Sequence, residues 1–341
     1  MGQKIPVGII GASGYVGAEL MRLLAGHPGF DVGFVTGDTQ AGQPVADLYP
    51  HLAAIGAEQE FVKYDSHLLD DVAMTFLALP HGQSMALAGD VLDRGKVAVD
   101  LAADFRLTDP AQYEQWYGEP HQTPELLGIL AYGLPELFRD ELAGATAVAV
   151  PGCYPTAAAL AIAPLVRTGL IQPEGVIVDA ASGVSGAGRP PKDHTTFCAV
   201  DEDFTAYGLL DHRHTPEIEQ AAGASVLFTP HLAPMNRGIL ATCYAKPAAD
   251  TSTDALLAAL AEFYADEQFI VVSDRSPSTK ATLGSNAAHL TVRYDARTNT
   301  VVALCAIDNL VKGAAGQAIQ CANLISGLDE ATGLTAVGVY P

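Results

Sequence analysis

Cys153 stands in the segment A-V-A-V-P-G-C-Y-P-T-A-A-A-L, between an apolar run typical of a strand and an alanine-rich run typical of a helix. Pro151, Gly152 and Pro155 favour a tight turn, so the sequence predicts that this cysteine lies between a strand and the N-terminus of a helix. The dipole and free amides at a helix N-terminus favour the thiolate, the nucleophilic form of cysteine. A free cysteine is most often a small buried hydrophobe, but the turn residues on both sides favour a reactive thiol here.

The remaining cysteines lie in runs typical of strands or helices, or in the less regular stretch around residue 198, and we expect them to pack in the core: Cys198, Cys243, Cys305 and Cys321. An odd total, wide spacing and the lack of C-x-x-C argue against a disulfide framework or a zinc knuckle and favour a reducing compartment. The first residues, M-G-Q-K-I-P, lack the cationic and apolar parts of a signal peptide. We therefore expect a cytoplasmic protein.

A thiolate nucleophile needs a partner that moves protons, and the segment D-H-R-H-T-P-E-I-E supplies two histidines. His212 and His214 lie on the same side of an extended backbone because they are two residues apart. We expect one of them to act as the acid or base and the other to hold substrate or shape the loop, and Glu217 can orient either. No third ligand accompanies them at a suitable spacing, so we expect no metal site.

A glycine loop near the N-terminus, V-G-I-I-G-A-S-G-Y-V-G-A-E-L, joins a strand-like run to a helix-like run. Gly11 permits the tight turn, Gly14 lets backbone amides approach a pyrophosphate, and Gly17 lets helix and strand pack closely. A glycine turn without a nucleotide is the alternative, but the strand–loop–helix context favours a dinucleotide site. The residues expected to contact the cofactor are Gly11, Ser13, Gly14, Tyr15 and Val16.

Two further segments bear on the cofactor. The second strand ends F-V-T-G-D-T, where an NAD-binding chain usually carries an acidic residue at the tip. Thr36 holds that tip and Asp38 follows two residues later, and because a hydroxyl accepts a 2′-phosphate more readily than a carboxylate does, we expect NADP. The segment Leu79-Pro80-His81 follows another strand at the carboxyl edge of the sheet, where such folds bind ligands, although His81 can also be a turn residue that only shapes the loop.

Acidic residues outnumber basic ones 39 to 18, which gives a formal net charge of −21 over 341 residues. Such a surface repels nucleic acids and anionic membranes, so we expect neither as a partner. The uncharged run 145–166 is long enough for a membrane span, but P-G-C-Y-P interrupts it and favours a strand, a turn and a helix. The length suggests about two domains.

The elements needed to position these residues follow from the pattern of apolar runs. In the first part of the chain, strands at 5–10, 32–35, 73–79 and 97–101 alternate with helices at 14–25 and 83–94, which predicts a doubly wound parallel sheet. After a helix at 156–168, strands dominate and only 254–265 is a clear helix, which predicts a mostly antiparallel sheet with helices on one face. These later strands are 176–181, 226–229, 239–246, 269–272, 289–294 and 301–307. A final helix is predicted at 310–325, and the domain boundary near Pro151.

Nine segments together resemble the family of N-acetyl-gamma-glutamyl-phosphate reductases, the arginine-pathway members of the semialdehyde dehydrogenase group. They are G-A-S-G-Y-V-G-A-E-L, A-L-P-H-G, D-L-A-A-D-F-R-L, Y-G-L-P-E, V-P-G-C-Y-P-T-A, S-G-V-S-G-A-G-R, H-R-H-T-P-E-I, H-L-A-P-M-N-R-G-I-L and D-N-L-V-K-G-A-A-G-Q-A, in the family order from Gly11 to Ala318. One departure is visible, because Ala102 stands where the family segment D-x-S-A-D-F-R has serine.

The resemblance implies an α/β fold plus an α+β fold. A doubly wound NADP-binding Rossmann domain, residues 1–150 plus 310–341, is joined to a catalytic domain, residues 151–309, like that of glyceraldehyde-3-phosphate dehydrogenase. It implies that the last helix packs back on the first domain. It also implies a homodimer or homotetramer.

For the chemistry, the resemblance implies that Cys153 attacks the acyl phosphate of N-acetyl-L-glutamyl 5-phosphate. Phosphate leaves, and NADPH reduces the resulting thioester to N-acetyl-L-glutamate 5-semialdehyde, with His214 or His212 handling the proton. Asn309 is implied to lie beside the nicotinamide. The loop 183–188, preceded by Ser182 and containing Gly183 and Gly186, can offer amides to the phosphate or the nicotinamide, or can be a flexible connector.

An acyl phosphate that also carries a carboxylate and an acetamide needs cationic partners despite the negative net charge. The residues in or beside the matching segments that are expected at the substrate are Arg106, Arg189, Lys192, Arg213 and Arg237, together with Glu217. Each cation has an alternative role as a surface charge or as part of a structural ion pair.

Two rival interpretations share some of these features. A reductase of aspartyl or aminoadipyl phosphate would use the same chemistry with another pocket, but H-R-H-T-P-E-I and P-G-C-Y-P-T-A favour the acetylglutamyl enzyme over the aspartyl one. An enzyme acting on an aminoadipyl group held by an acidic carrier protein would need a basic surface to bind that carrier, and this chain is acidic. A non-catalytic NADP-sensing protein would keep the glycine loop without needing Cys153 and both histidines.

Overall fold

The computed structural model describes residues 4–56 and 59–341, which form two compact units. Unit 1 takes its residues from Met1–Tyr113, Glu119–Pro151 and Ala314–Leu334. Unit 2 consists of Glu114–Gly118, Gly152–Gly313 and Thr335–Pro341. Residues 1–3, part of the N-terminal segment for which no signal peptide is expected, lie outside the described residues. None of the helices in the described part of the chain has the length and apolar character needed to span a membrane.

Unit 1 is built on a parallel sheet. Its strands are β1 (Ile5–Ile10), β2 (Phe30–Val35), β3 (Met74–Leu77), β4 (Val97–Asp100), β5 (Ala131–Tyr132) and β6 (Ala147–Ala149). Their order is β2-β1-β3-β4-β6-β5, and the pairings along it are parallel. Every residue of β3 and β6 is buried, as expected for strands covered on both faces. The predicted doubly wound sheet is confirmed, although β5 was not predicted.

Helices connect these strands and position the loops at their carboxyl ends. They are α1 (Tyr15–Leu24), α2 (Val45–Leu48), α3 (Ala53–Gly56), α4 (Ser84–Asp93), α5 (Ala111–Tyr117) and α6 (Pro135–Leu142). The leucine- and methionine-rich face of α1 is buried, and its first turn follows the glycine loop directly. The chain passes from unit 1 into unit 2 within α5.

The predicted continuous helix at 310–325 is wrong in its first part. Residues Val311–Ala315 form a π-helical turn, and a regular helix, α11, covers only Gly316–Ile325. The wider turn arises because the amide of Gly313 donates to the carbonyl of Asp308, five residues back. Within unit 1, α11 packs against α1, α6 and β4. Its buried Gln317 donates to the carbonyl of Gly133 at 2.7 Å.

Unit 2 contains a second sheet. Its strands are β7 (Val176–Gly183), β8 (Thr205–Ala206), β9 (Val226–Ala233), β10 (Ile239–Ala245), β11 (Ile270–Val272), β12 (Ala288–Asp295) and β13 (Thr300–Ile307). The order is β11-β12-β13-β10-β7-β9-β8, with parallel pairing at β11–β12 and β7–β9 and antiparallel pairing elsewhere. The predicted mostly antiparallel sheet is therefore confirmed.

One face of this sheet is covered by helices and the other is open. The helices of unit 2 are α7 (Cys153–Arg167), α8 (Phe197–Val200), α9 (Thr215–Ala222) and α10 (Thr253–Phe263). Residues 154–165 of α7 are all buried, and this helix packs on β10, β12 and β13. On the opposite face, Ile177 and Leu227 pair across β7 and β9 and stay exposed. The predicted helix at 254–265 is confirmed as α10, and a further helix among the strands, α9, forms after Pro216 fixes its first turn.

The units end at slightly different residues from the predicted domains. The chain's last residues belong to unit 2, where the amide of Asn286 donates to Thr335 and the amide of Val339 donates to Leu283. The assignment of 1–150 plus 310–341 to the cofactor and of 151–309 to the substrate stays a prediction.

The close contact between α1 and the preceding loop predicts that an alanine substitution has opposite effects on stability at two glycines. An ideal Cβ on Gly17 would lie 2.4 Å from the Cα of Ala12, whereas one on Gly89 in α4 meets nothing nearer than 3.8 Å. Gly17→Ala should lower the free energy of unfolding by about 1–3 kcal/mol because backbone must move. Gly89→Ala, the matched control, should raise it by up to about 1 kcal/mol. Denaturant unfolding of both variants measures the difference, and equal values would contradict the contact.

Candidate functional site

The cysteine predicted to be reactive begins α7. Gly152 is the N-cap, in an extended conformation with φ −66° and ψ 155°, and its carbonyl accepts from both the amide and the hydroxyl of Thr156. Cys153 is half-buried, whereas Cys243, Cys305 and Cys321 are buried. Burial raises the pKa of the Cys243 thiol to about 12, which keeps it protonated. The prediction that Cys198 packs in the core is wrong, because this thiol is exposed.

A buried carboxylate holds the turn before this cysteine. Glu217, in the first turn of α9, is fully buried, and its Oε1 accepts a 2.8 Å hydrogen bond from the amide of Gly152. A carboxylate that accepts from a backbone amide makes a strong, charge-assisted bond. The sequence offered Glu217 as a substrate ligand or as a partner of the histidines. The hydrogen bond to Gly152 fixes the peptide that precedes the thiol, and the role of Glu217 toward substrate or histidine stays a prediction.

The two histidines lie close together, and a turn rather than an extended backbone places them. The amide of His214 donates to Nδ1 of His212 at 3.1 Å, and the two ring centroids are 4.9 Å apart. Burial, helped by the neighbouring Arg213, lowers the pKa of His212 to about 4. His212 is therefore neutral near pH 7 and holds its neighbour through Nδ1. His214 is the N-cap of α9, and its ring lies 5.9 Å from that of Tyr154.

Aromatic side chains form the surroundings of this turn. The hydroxyl of Tyr154 lies 3.1 Å from that of Tyr207 and donates to the carbonyl of His231 at the same distance. Burial raises the pKa of Tyr207 to about 12, so its hydroxyl stays protonated. The ring of His212 packs edge-on against Tyr154, Tyr207 and Phe228. Tyr207 was not predicted, because nothing in the segment T-A-Y-G-L-L distinguishes it.

The loop after β7 is fixed rather than a flexible connector. The amides of Gly183, Val184 and Ser185 donate to the carbonyls of residues 238, 235 and 236. Asn309 bridges the same two segments, since its Oδ1 accepts from the amide of Gly238 at 2.7 Å and its Nδ2 donates to Ser185 Oγ at 3.0 Å.

Two more of the predicted residues belong to this loop. Ser182 is buried, with its hydroxyl bonded to the carbonyl of Gly183. Gly186 lies near both Ser182 and Asn309, since an ideal Cβ there would be 3.0 Å from Ser182 Oγ and 3.9 Å from Asn309 Nδ2. The structure thus brings these predicted residues into one rigid cluster of unit 2.

The predicted cations occupy different environments. Arg237 lies 3.6 Å from the buried carboxylate of Asp308, and the guanidinium of Arg213 lies over the ring of Tyr117. Lys192 is exposed and Arg189 is partly exposed. In unit 1, Arg106 is largely buried and donates to the carbonyls of Val150 and Leu101, each at 2.8 Å. Arg106 therefore ties the loop after β4 to the end of β6.

In unit 1, the glycine loop has the features that a pyrophosphate needs. Gly11 has a φ of +86°, and Gly14 is an N-cap that offers no side chain to the amides at the start of α1. An ideal Cβ on Gly14 would meet only the carbonyl of Gly11 at 3.6 Å, so space remains beside these amides. Tyr15 is exposed, while Ser13 and Val16 are partly exposed. These residues fit a dinucleotide at the helix N-terminus.

Thr36 makes a different contact from the one that the sequence led us to expect. Its side chain is 4% exposed, and its Oγ1 accepts from the amide of Gly11 at 3.1 Å. The hydroxyl is turned toward the glycine loop and holds it, instead of standing open at the strand tip. Asp38 is exposed and begins a short 3₁₀ turn two residues later.

The segment after β3 is held by a carboxylate that the sequence analysis did not single out. Asp104 is buried and accepts from the amides of Gly82 and Ser84 and from the Ser84 hydroxyl, and its Oδ1 lies 2.5 Å from Nδ1 of His81. Burial opposes ionisation, but these hydrogen bonds outweigh it and lower the pKa of Asp104. The predicted Leu79 and Pro80 directly precede His81. Leu79 packs against the core of unit 1, and the carbonyl of Pro80 accepts from the amide of Gln83 at 3.3 Å.

A second buried carboxyl lies beside this one. Burial, reinforced by Asp104, raises the pKa of Asp100 to about 7. Asp100 accepts from the amide of Ala102, the residue that replaces the family's serine. Among residues 4–56 and 59–341, no three histidine, cysteine or acidic side chains come together in a way that could hold a metal ion.

Comparisons with known proteins agree with this arrangement. Residues 6–145 match the model of the semialdehyde dehydrogenase NAD binding domain, and residues 153–309 match that of the semialdehyde dehydrogenase dimerisation domain. The solved structure of aspartate semialdehyde dehydrogenase II complexed with ASA from Vibrio cholerae has a TM-score of 0.73 and 16% identity, covering 96% of this chain and 99% of that one. The structure of a probable aspartate-semialdehyde dehydrogenase from Pseudomonas aeruginosa has a TM-score of 0.69 and 19% identity, covering 95% of this chain and 99% of that one. These likenesses show the fold.

Relatives of known name are more similar in sequence. A protein of Desulforudis audaxviator is 49% identical over 99% of this chain and 100% of its own length, and one of Magnetococcus marinus is 45% identical over the full length of both. A third, from Pseudomonas entomophila, is 47% identical over 99% of this chain and 100% of its own. Each is named N-acetyl-gamma-glutamyl-phosphate reductase. Since such identity extends over the whole chain, this protein belongs to the N-acetyl-gamma-glutamyl-phosphate reductase family.

Proposed function

We propose that this chain reduces N-acetyl-L-glutamyl 5-phosphate to N-acetyl-L-glutamate 5-semialdehyde with release of phosphate, using NADPH, in arginine biosynthesis. The names of full-length relatives at 45–49% identity support the reaction. The observation that carries the mechanism is the half-buried thiol of Cys153 at the first position of α7, preceded by a peptide held by Glu217.

The glycine loop of unit 1 would hold the cofactor. The first amides of α1 and the concave backbone at Gly11 and Gly14 would bind its pyrophosphate, and Thr36 keeps this loop in place. His81, ordered by Asp104, belongs to the same edge of the sheet. In unit 2, Asn309 and Ser182 shape the segment assigned to the nicotinamide. Bound NADPH would supply the hydride that reduces the substrate carbon.

Cys153 carries the acyl group. Its thiolate attacks the carbonyl carbon of the acyl phosphate, and the bond from carbon to the bridging oxygen breaks. Inorganic phosphate leaves with that electron pair and accepts a proton from the histidine that acts as acid. The product of this step is a thioester on Cys153. After reduction of the thioester carbon, the carbon–sulfur bond breaks, which releases the aldehyde and restores the thiolate. The start of α7 favours negative charge at this position in both steps.

His214 is the group that moves protons, and His212 positions it. A histidine whose pKa is about 4 is a poor proton carrier near neutrality, and His212 already uses Nδ1 to accept from the His214 amide. His214 lies beside Tyr154, the residue that follows the nucleophile. The phosphate and carboxylate of the substrate are assigned to Arg189, Lys192, Arg213 and Arg237. Glu217 holds the peptide before Cys153, and in unit 1 Arg106 holds the loop after β4.

Copies of the chain would associate through the open face of the unit 2 sheet. This face carries exposed apolar side chains such as Ile177 and Leu227, and the matching family model describes a dimerisation domain. We propose a homodimer or a homotetramer on this basis. Five free thiols are consistent with a reducing compartment, and we assign the protein to the cytoplasm.

Replacing the nucleophile tests the function. Cys153→Ala should lower NADP reduction with phosphate and N-acetyl-L-glutamate 5-semialdehyde by more than about 10³-fold, because no thioester can form. NADPH binding, measured by fluorescence, should stay near the wild-type value. Full turnover by this variant would remove the covalent mechanism. Wild-type protein that binds NADPH but turns over none of the acetylglutamyl, aspartyl or aminoadipyl semialdehydes would be a sensor, and preference for another semialdehyde would reassign the substrate.

The two histidines should separate in a pH profile. His214→Asn should lower kcat by about 10²–10⁴-fold because the proton carrier is lost. His212→Asn should lower kcat by a smaller factor, since an asparagine Oδ1 can accept from the amide of residue 214. Because the pKa of His212 is about 4, protonation of His212 lies below the working range, so any limb of the wild-type profile between pH 5.5 and 8 should persist in His212→Asn. Its disappearance there would assign the acid–base role to His212.

Charge on the open sheet face should disrupt the assembly. Leu227→Lys places a charge on a side chain that is 49% exposed, and Ile129→Lys does so at 50% exposure in unit 1. Light scattering after size exclusion should show a lower mass for Leu227→Lys, because a buried interface would have to desolvate the ammonium group. The Ile129 variant should keep the wild-type mass. A wild-type mass for both would place the interface elsewhere.

A further inference from the structure

The π-helical turn Val311–Ala315 lies directly against the residue assigned as nucleophile. An ideal Cβ built on Gly313 would be 2.7 Å from Cβ of Cys153, 3.2 Å from its Cα and 3.3 Å from Cδ1 of Ile307. Contacts between real Cβ atoms essentially never fall below 3.0 Å. Only glycine therefore allows the two backbones to approach this closely without displacing Cys153.

The turn that presents Gly313 is held at several points. Oδ1 of Asp308 accepts from the amides of Leu310 and Val311, and its Oδ2 accepts from the amide of Gly284 at 2.7 Å. Asp308 is fully buried, and its carbonyl accepts from the amide of Gly313 at 3.0 Å. Asn309 adds its two bonds to Gly238 and Ser185. With so many anchors, the backbone at Gly313 is a fixed surface and not a mobile neighbour.

We propose that Gly313 is a positioning residue for Cys153. The Cα of Gly313 carries no side chain and is held in place by the π turn, which Asp308 stabilises. This Cα determines where the Cβ of Cys153 lies, and therefore the direction from which the sulfur approaches the carbonyl carbon. This inference rests on the proposed function in one respect, the role of Cys153 as nucleophile. Displacement of an attacking atom by a fraction of an ångström is costly because a nucleophile must be aligned with the bond that it forms.

A regular helix over the same residues would not give this surface. In an α-helix the amide of Gly313 would bond to the carbonyl of Asn309, four residues back, and not to that of Asp308. One-turn π-helical insertions are frequent at functional sites for this reason, since they shift side chains around the helix axis. Here the shift brings a residue without a side chain to a place beside Cys153 where a methyl group does not fit.

A set of stability measurements tests the contact without relying on activity. Gly313→Ala is introduced into wild-type protein and into the Cys153→Ala and Cys153→Gly variants. In the first two backgrounds, which both retain a Cβ at residue 153, it should lower Tm by about 3–10 °C. In the Cys153→Gly background most of this loss should disappear, because the nearest clashing atom is gone. Equal losses in all three backgrounds would overturn the proposal. If Gly313→Ala alone does not fold, failure of Cys153→Gly to restore folding overturns it as well.

Two further measurements separate positioning from general stability. In Gly313→Ala, iodoacetamide should alkylate Cys153 at a rate changed by about fivefold or more, while the exposed Cys198 in the same sample reacts at its wild-type rate. The variant should lose about 10- to 100-fold in kcat, with NADPH affinity unchanged. Gly89→Ala is the control and should change neither value. Wild-type kcat and alkylation rate in folded Gly313→Ala would refute positioning.

These outcomes separate the present inference from the proposed function. If wild-type protein shows no reductase activity, the proposed reaction fails, yet the stability cycle and the alkylation rates still report on the contact. If the wild type is active and Gly313→Ala matches it, the reaction stands and the positioning role fails.

Discussion

The hydrogen bond from the Gly152 amide to the buried Glu217 is the constraint on which the candidate site depends. A buried carboxyl group is costly unless its oxygens find hydrogen-bond donors, and a backbone amide at the start of a helix is such a donor. The same bond settles the local geometry of the chain just before Cys153 and fixes the start of α9 against that of α7. Since His214 caps α9 and His212 accepts from its amide, one carboxylate determines the positions of both the thiol and the histidines.

Packing explains why this arrangement is rigid. Helix α7 is buried along 154–165 and lies on the central strands of the unit 2 sheet, so its first residue cannot move independently of the sheet. Strand β13 leads from that sheet into Asp308 and the π turn. This turn is the third segment that packs against Cys153, although it follows Cys153 by more than a hundred residues in sequence. The thiol is thus enclosed by elements that are each held by the core of the same unit. In unit 1, Thr36 and Asp104 do the same for the glycine loop and the His81 loop through bonds to backbone amides.

The features that could be predicted from sequence are those that local chemistry decides. Alternation of apolar runs predicted both sheets, and the proline and glycine residues around Cys153 predicted a turn before a helix, although α7 begins at Cys153, three residues before the predicted start. What could not be predicted depends on which backbone amide a side chain meets after folding. The bonds between Thr36 and Gly11, between Glu217 and Gly152 and between Asp104 and Gly82 are contacts that the sequence did not indicate. No local pattern distinguishes a carboxylate that will be buried from one that will face water. The π turn was missed because its cause, the side chain of Asp308 bonding to residues 284, 310 and 311, includes a partner distant in sequence.

A chain with a net charge of −21 that binds an anionic substrate and an anionic cofactor presents an electrostatic problem. At physiological ionic strength, charges separated by more than about 8 Å are largely screened, so the distant carboxylates matter little at the site and nearby dipoles and cations decide. Helix N-termini supply part of the attraction at no cost in net charge, and both α1 and α7 begin at residues assigned to anionic groups. Of the predicted cations, Arg106 already uses two donors on backbone carbonyls, while Arg189, Arg213 and Lys192 keep some exposure. The proposed attraction of phosphate and carboxylate therefore rests on a few partly exposed cations of unit 2. Because such charges are screened like any surface charge, we expect added salt to weaken substrate binding more than it slows the chemistry at Cys153.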